Sequence, residues 1–166
     1  MDNIIKNFEA EPLSNNDILE LCDNQTKVIR YSELNNYSNI DELLYPYDNF
    51  VVLYETSENY GHWCCVLRYT NVLEFFDPYG YGVDEQLKFS DNKYPTLSYL
   101  LLNTNYKLIE NKTRLQKLYN NVASCGRHVA IRIILKHLDI YSYLTLFDNN
   151  KYDPDMIVTY LTSFIN

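Results

Sequence analysis

Between Asn49 and Asp77 three β-rich runs lie close together, Asn49 to Glu55, His62 to Tyr69 and Val72 to Asp77, and only Thr70-Asn71 separates the last two. A two-residue joint between runs of branched and aromatic residues points to an antiparallel hairpin, so the middle of the chain is committed to a sheet. Everything else has to pack around it. Ser14-Asn-Asn-Asp17 ahead of Ile18 to Leu21, and Ser38-Asn-Ile-Asp41 ahead of Glu42 to Leu44, have the capping-box pattern of helix starts, with a strand expected between them at Lys27 to Tyr31. Pro95 stands at the first position of a helix expected over Leu97 to Leu102, and Tyr106 to Glu110 reads as a further strand. From Cys125 to Leu138 the residues Val129, Ala130, Ile133, Ile134 and Leu135 recur at helical spacing. A last helix is expected from Pro154 over Asp155 to Ile165, burying Ile157, Val158, Leu161 and Phe164.

With 166 residues and 46% hydrophobic content the chain can bury the core of one domain, residues 1–166, with a helical N-terminal lobe over 1–45 that holds the one strand expected at Lys27 to Tyr31. Its longest apolar stretches, such as Val129 to Leu135, fall short of the roughly 20 residues of a membrane span. The N-terminus is acidic and polar where an export leader is cationic and apolar, so a soluble, unexported monomer is expected. A formal charge of -8 repels a phosphate backbone, and the basic residues form no stripe, which argues against nucleic acid as a partner. The four cysteines form no CxxC pair and no zinc-finger spacing, so reduced thiols and no metal or other cofactor are expected.

Glycine is scarce, and its four positions are therefore informative. Gly61 precedes His62, Gly80 and Gly82 follow Asp77, and Gly126 follows Cys125. The first three also suit ordinary turns. Gly126 falls in the first turn of a helix, where glycine costs about 1 kcal/mol relative to alanine, and the close approach of a substrate backbone would account for it.

Thiol chemistry needs a thiolate. At a helix N-terminus Cys125 would meet the positive end of the macrodipole, and an imidazolium at His62 would add a direct charge partner. The amides of Cys125 and Gly126 could then receive the oxyanion of a tetrahedral intermediate, each donor being worth about 3 kcal/mol of barrier. Most lone cysteines are simply buried, and Cys22, Cys64 and Cys65 are read that way. Cys64 and Cys65 point to opposite faces of a strand, with Cys64 on the face of His62. Ser124, Gly126 and the amphipathic helix set Cys125 apart. His128, one turn into that helix, is a rival base, whereas His137 suits a C-terminal cation. Asp77 can orient the His62 ring if the hairpin closes, although it can equally start the Asp-Pro-Tyr-Gly turn; Glu74 belongs to the opposite face. Gly61 and Trp63, flanking His62, are the expected substrate contacts.

Gly61-His62-Trp63, then Phe76-Asp77-Pro78-Tyr79-Gly80, then Ser124-Cys125-Gly126 opening a helix together resemble the adenain-like and ubiquitin-like-protein-protease superfamily of cysteine proteases, over roughly residues 48 to 138. The resemblance implies an α+β fold, an α/β sandwich whose central mixed sheet packs on the helix carrying the nucleophile. It also implies a Gln ahead of the Cys that lends its side-chain amide to the oxyanion hole; Gln116 is the candidate, with Asn120 and Asn121 as alternatives. Leu115-Gln-Lys-Leu and Ser124-Cys-Gly-Arg-His-Val129 look most like the maturation proteases of large DNA viruses and virophages. That implies a cysteine endopeptidase acting on capsid or core precursor proteins, in the virion and the host cytoplasm. The alternatives are a deubiquitinase or deSUMOylase-like isopeptidase on the same scaffold, an acyltransferase, which would need a basic cofactor pocket, and a catalytically silent interaction module, against which the intact Cys, His, Asp and Gln argue.

Overall fold

The computed structural model describes residues 2–164. Its centre is a five-stranded mixed sheet whose strand order follows the chain: β1 (Lys27–Arg30), β2 (Asn49–Ser57), β3 (Tyr60–Tyr69), β4 (Val72–Phe76) and β5 (Lys107–Glu110). The β2–β3 and β3–β4 pairs are antiparallel, and the outer pairs β1–β2 and β4–β5 are parallel. Both faces are covered, which is why Phe50 to Tyr54 is one continuous apolar run without polar alternation.

Seven α-helices, α1 (Asp2–Glu9), α2 (Asn15–Leu21), α3 (Ile40–Leu44), α4 (Thr96–Leu102), α5 (Cys125–Ile134), α6 (Ile140–Thr145) and α7 (Pro154–Ser163), and two 3-10 helices, Tyr31–Asn36 and Glu85–Phe89, complete the described chain. On one face Val51, Leu53, Trp63, Cys65 and Phe76 pack against Val129, Ala130 and Ile133 of α5, with α2, α6 and α7 around it. The other face carries Phe50, Val52, Cys64, Val66 and Phe75 against Leu43 and Leu44 of α3 and Leu97 and Leu101 of α4. This is the expected α+β sandwich, with Cys125 at the N-terminus of the helix laid on the sheet.

Several local expectations give way to tertiary context. Ser14 does cap α2 in a capping box with Asp17, but α3 is capped by Asn39, one residue after Ser38. Pro95 is the residue before α4 and not its first turn. The strand expected at Lys27 to Tyr31 is β1, which ends at Arg30 and pairs with β2. Helix α5 stops at Ile134: Asp139 caps a separate helix, α6, leaving His137 exposed in the intervening turn. Helix α7 buries Asp155, Val158, Thr159 and Thr162, while Leu161 and Phe164 face outward at 44% and 70% exposure. Its seam is polar, as Arg127 Nη1 on α5 donates to Thr162 Oγ1 at 2.7 Å. Ile165 lies outside the described residues. Among the described residues no helix is long and apolar enough to cross a membrane, and the four cysteines are buried and free.

The fit of α5 on the sheet is fixed by a buried ion pair. Arg132 Nε and Nη2 donate to Glu74 Oε2 and Oε1 at 2.8 and 2.9 Å, Arg132 caps the Leu135 and Leu138 carbonyls at 3.0 and 2.8 Å, and Tyr69 Oη donates to Glu74 Oε1 at 3.1 Å. Glu74 thus faces the helix, opposite Asp77, as the strand alternation predicts. Since removing one partner strands the other as an uncompensated buried charge, Arg132→Ala is expected to cost about 3–5 kcal/mol. Urea unfolding measures this, and a loss under about 1 kcal/mol would show the pair to be dispensable.

Candidate active site

Four chain segments meet at one cleft of about 760 Å³, whose walls include Gly61, His62, Tyr79, Gln116, Ala123 and Cys125. The start of β3 brings His62, the turn after β4 brings Asp77 and Tyr79, the segment before α5 brings Gln116, and α5 begins at Cys125. Exposed aromatic side chains, Tyr60, Phe89 and Tyr119, stand at its rim.

Asp77 is fully buried and does two things at once. Its Oδ1 accepts from His62 Nε2 and from the Tyr79 amide, both at 2.7 Å, and its carbonyl accepts from Gly80 N at 2.8 Å. It is therefore both the first residue of the Asp-Pro-Tyr-Gly turn and the acceptor for the imidazole. Gly80 has φ +75°, a conformation that favours glycine. Asn111 on the segment after β5 locks the Asp77 backbone, accepting from its N–H at 3.2 Å and donating to its carbonyl at 2.8 Å. No motif in the sequence marks Asn111.

His62 is buried against the Tyr79 ring, stacked at 4.2 Å and 9°. Burial alone disfavours the imidazolium, but the Asp77 charge and hydrogen bond, joined by hydrogen-bonding and charge contributions from Cys125, outweigh it and raise the His62 pKa to about 10. His62 and Cys125 line the same cleft. Cys125 is the first residue of α5 and 7% exposed, so its amide and that of Gly126 are among the N–H groups a helix start leaves without intrahelical partners.

The Asp77-Pro78 turn also holds Gln116, because Pro78 O accepts from the Leu115 and Gln116 amides at 2.9 and 3.0 Å. Gln116 is 1% exposed, with Nε2 donating to Val122 O at 3.5 Å and Oε1 without a partner. Asn120 also lines the cleft but is exposed, and Asn121 is exposed outside it.

Other residues read as functional in the sequence fall elsewhere. His128 is fully buried behind α5, where its Nε2 meets Asp155 Oδ1 at 2.9 Å, so the rival imidazole does not face the cleft. Trp63 is 4% exposed in the core, its indole N–H donating to Leu13 O at 3.2 Å, and it lines not this cleft but a smaller neighbouring cavity with Tyr60 and Gly61. Gly126 also packs closely in the core: a Cβ there would lie 3.0 Å from Leu13 Cβ and 3.2 Å from Trp63 Cδ1, tighter than most such contacts, so the fit of the helix start against these side chains favours glycine. Gly61 stays on the cleft wall.

Among the described residues, the potential ligand atoms of His62, Cys64 and Asp77 lie within 4.8 Å of one another. The donor set resembles a zinc site, but tetrahedral ligands at about 2.0 Å from zinc stand roughly 3.3 Å apart. The 2.7 Å contact between His62 and Asp77 is that of a hydrogen bond.

No protein-family model matches the chain. It is 42% identical over 171 residues to the uncharacterized protein V9 of Sputnik virophage, covering 95% of this chain and 98% of that one. Two crystal structures of the ASFV pS273R protease, the second of the selenomethionine protein, have the same fold. They superpose with TM-scores of 0.54 and 0.53 at 13% and 12% identity, over 95% of this chain and 68% of theirs.

Because the folded His62 pKa lies above its ordinary 6.5, its contribution to stability is fully present below about 6.5 and is lost as pH rises through about 10. In Asp77→Asn the ring loses its charge partner, so His62 is expected to titrate at lower pH and this loss to begin earlier. NMR titration of the histidine ring protons measures it; an unchanged midpoint in the variant would show that Asp77 does not set the imidazole's charge.

Proposed function

The chain belongs to the family of the Sputnik virophage protein V9, and from that premise we propose that it is a cysteine endopeptidase, with Cys125 as nucleophile, His62 as acid and base, Asp77 as orienting carboxylate and Gln116 as oxyanion donor. The observation that carries this reading is that a helix-start thiol, a carboxylate-bound imidazole and a buried Gln amide open on one cleft.

The Cys125 thiolate attacks the scissile carbonyl carbon and forms a C–S bond, while the carbonyl oxygen takes the negative charge. The Cys125 and Gly126 amides and the Gln116 side chain receive that oxygen. His62, held in the charged form by Asp77, gives its Nδ1 proton to the leaving nitrogen as the C–N bond breaks and a thioester remains. Water then gives a proton to the neutral ring and attacks the thioester carbon, the product acid leaves, and the thiolate–imidazolium pair is restored.

The substrates in this reading are capsid or core precursor polypeptides cut during virion maturation, in the virion or the host cytoplasm, by a monomeric enzyme. Support comes from the virophage relative and from the fold shared with a viral protease.

Labelling with iodoacetamide or a vinyl sulfone tests the assignment: Cys125→Ala and His62→Ala are expected to abolish it and His128→Ala to leave most of it. Gln116→Ala should keep the labelling yet lower kcat for peptide cleavage by about 10²–10³. Survival of labelling in His62→Ala would remove His62 from the mechanism. Cleavage of ubiquitin-like fusions in preference to virophage capsid precursors would replace the maturation role with an isopeptidase one.

A further inference from the structure

Behind the cleft lies a second buried His–carboxylate pair that the peptidase mechanism does not use. Asp155, on the first turn of α7, is fully buried. Its Oδ1 accepts from Ser124 Oγ at 2.5 Å and from His128 Nε2 at 2.9 Å, and its Oδ2 accepts from the Lys117 amide at 3.0 Å. Burial opposes its charge, but these donors outweigh burial and hold the carboxyl below the usual carboxylate range. Ser124 is the chain neighbour of Cys125, and Lys117 is the chain neighbour of Gln116. One carboxylate therefore grips the Ser124 hydroxyl beside the nucleophile and the backbone N–H beside the oxyanion donor.

We infer that Asp155 is a positioning residue that sets the distance between Gln116 and Cys125, an inference that rests on the peptidase reading above. The segment between these residues forms no helix or strand and exposes Leu118, Tyr119 and Asn120. Other ties run to the Pro78 carbonyl at one end and, from the Ala123 amide, to the Glu9 carbonyl at 2.6 Å at the other, with Gln116 Nε2 donating to Val122 O at 3.5 Å between them. Lys117 Nζ adds a contact to Asp153 Oδ2 at 2.6 Å, again on the start of α7. If α7 served for packing alone, its buried face would be apolar; instead it spends Asp155 and Thr162 on hydrogen-bonded sites, and an ionised carboxylate is costly to bury unless its partners are worth holding.

Asp155→Asn is the discriminating change. The amide keeps the size, but its NH₂ must face either the Lys117 N–H or the Ser124 and His128 donors, so one grip is lost. The expected result is a fall in kcat for peptide cleavage of about 10- to 100-fold, short of the roughly 10²–10³ of losing an oxyanion donor itself, with KM within about 2-fold. Iodoacetamide labelling of Cys125 should stay within about 2-fold as well, because alkylation needs the thiolate and its imidazole but no oxyanion hole. In the double variant with Gln116→Ala, cleavage should fall no further than in Gln116→Ala alone, since both changes disable one device. Should Asp155→Asn fail to fold, Ser124→Ala, which removes a single donor, is expected to show the same pattern at smaller size. Additive losses, or labelling lost in parallel with cleavage, would overturn the inference by making Asp155 a general structural support. Native-like cleavage by Asp155→Asn would overturn it while leaving the peptidase reading intact; a native protein that neither labels nor cleaves would sink that reading and this inference with it.

Discussion

A single oxygen atom, Asp77 Oδ1, closes the Asp-Pro-Tyr-Gly turn through the Tyr79 amide and holds His62 Nε2 at the same time. The turn cannot open without freeing the ring. Its next carbonyl, on Pro78, accepts from the Leu115 and Gln116 amides, and its next ring, Tyr79, covers the imidazole. The geometry of the cleft is thus referred to one tight bend at the edge of the sheet, locked from beneath by Asn111. A buried carboxylate with several donors is a rigid reference point, because each lost bond would leave a desolvated polar group behind.

The other half of the cleft is referred to α5, and that helix is fastened near both ends by charge. Near its C-terminus Arg132 meets Glu74 on β4, and at its start Ser124 and His128 meet Asp155 on α7. Between these ends the contact is apolar and close, with Gly126 against Trp63. Apolar packing alone would tolerate a small slide of the helix along the sheet; the two ionic anchors, facing different layers, resist it. The position of Cys125 is fixed by partners that never touch the cleft.

Much of this was legible in the sequence where the signal is local. The strands β2, β3 and β4 announced themselves through short joints and branched residues, and the glycines beside His62, Asp77 and Cys125 marked the segments that come together. The reasons were not all local: Gly126 also marks a close contact of the helix start, which depends on Trp63 and Leu13 from distant parts of the chain. Helix α7 was expected to bury its largest apolar side chains, yet Asp155, Thr159 and Thr162 form the inner stripe. Their spacing is a helical one and was readable, but a polar stripe looks like a solvent face until its partners on α5 are known. Asn111 gave no local signal at all, since its partner is the backbone of Asp77. Short α6 was hidden because the apolar pattern of α5 ran on past Ile134, and only the Asp139 cap separates the two.

The order of strands has a consequence for how the molecule comes together. The central three are neighbours in both sequence and space, and Thr70-Asn71 closes β3 onto β4 with almost no loop to order, whereas β1 and β5 lie parallel to their neighbours and need long crossovers. Ring and carboxylate are therefore companions as soon as one hairpin zips, but the sulfur joins them only after the crossover to β5 and the following segment have docked. The meeting of His62 and Cys125 thus depends on contacts between distant parts of the chain, whereas that of His62 and Asp77 needs only one hairpin.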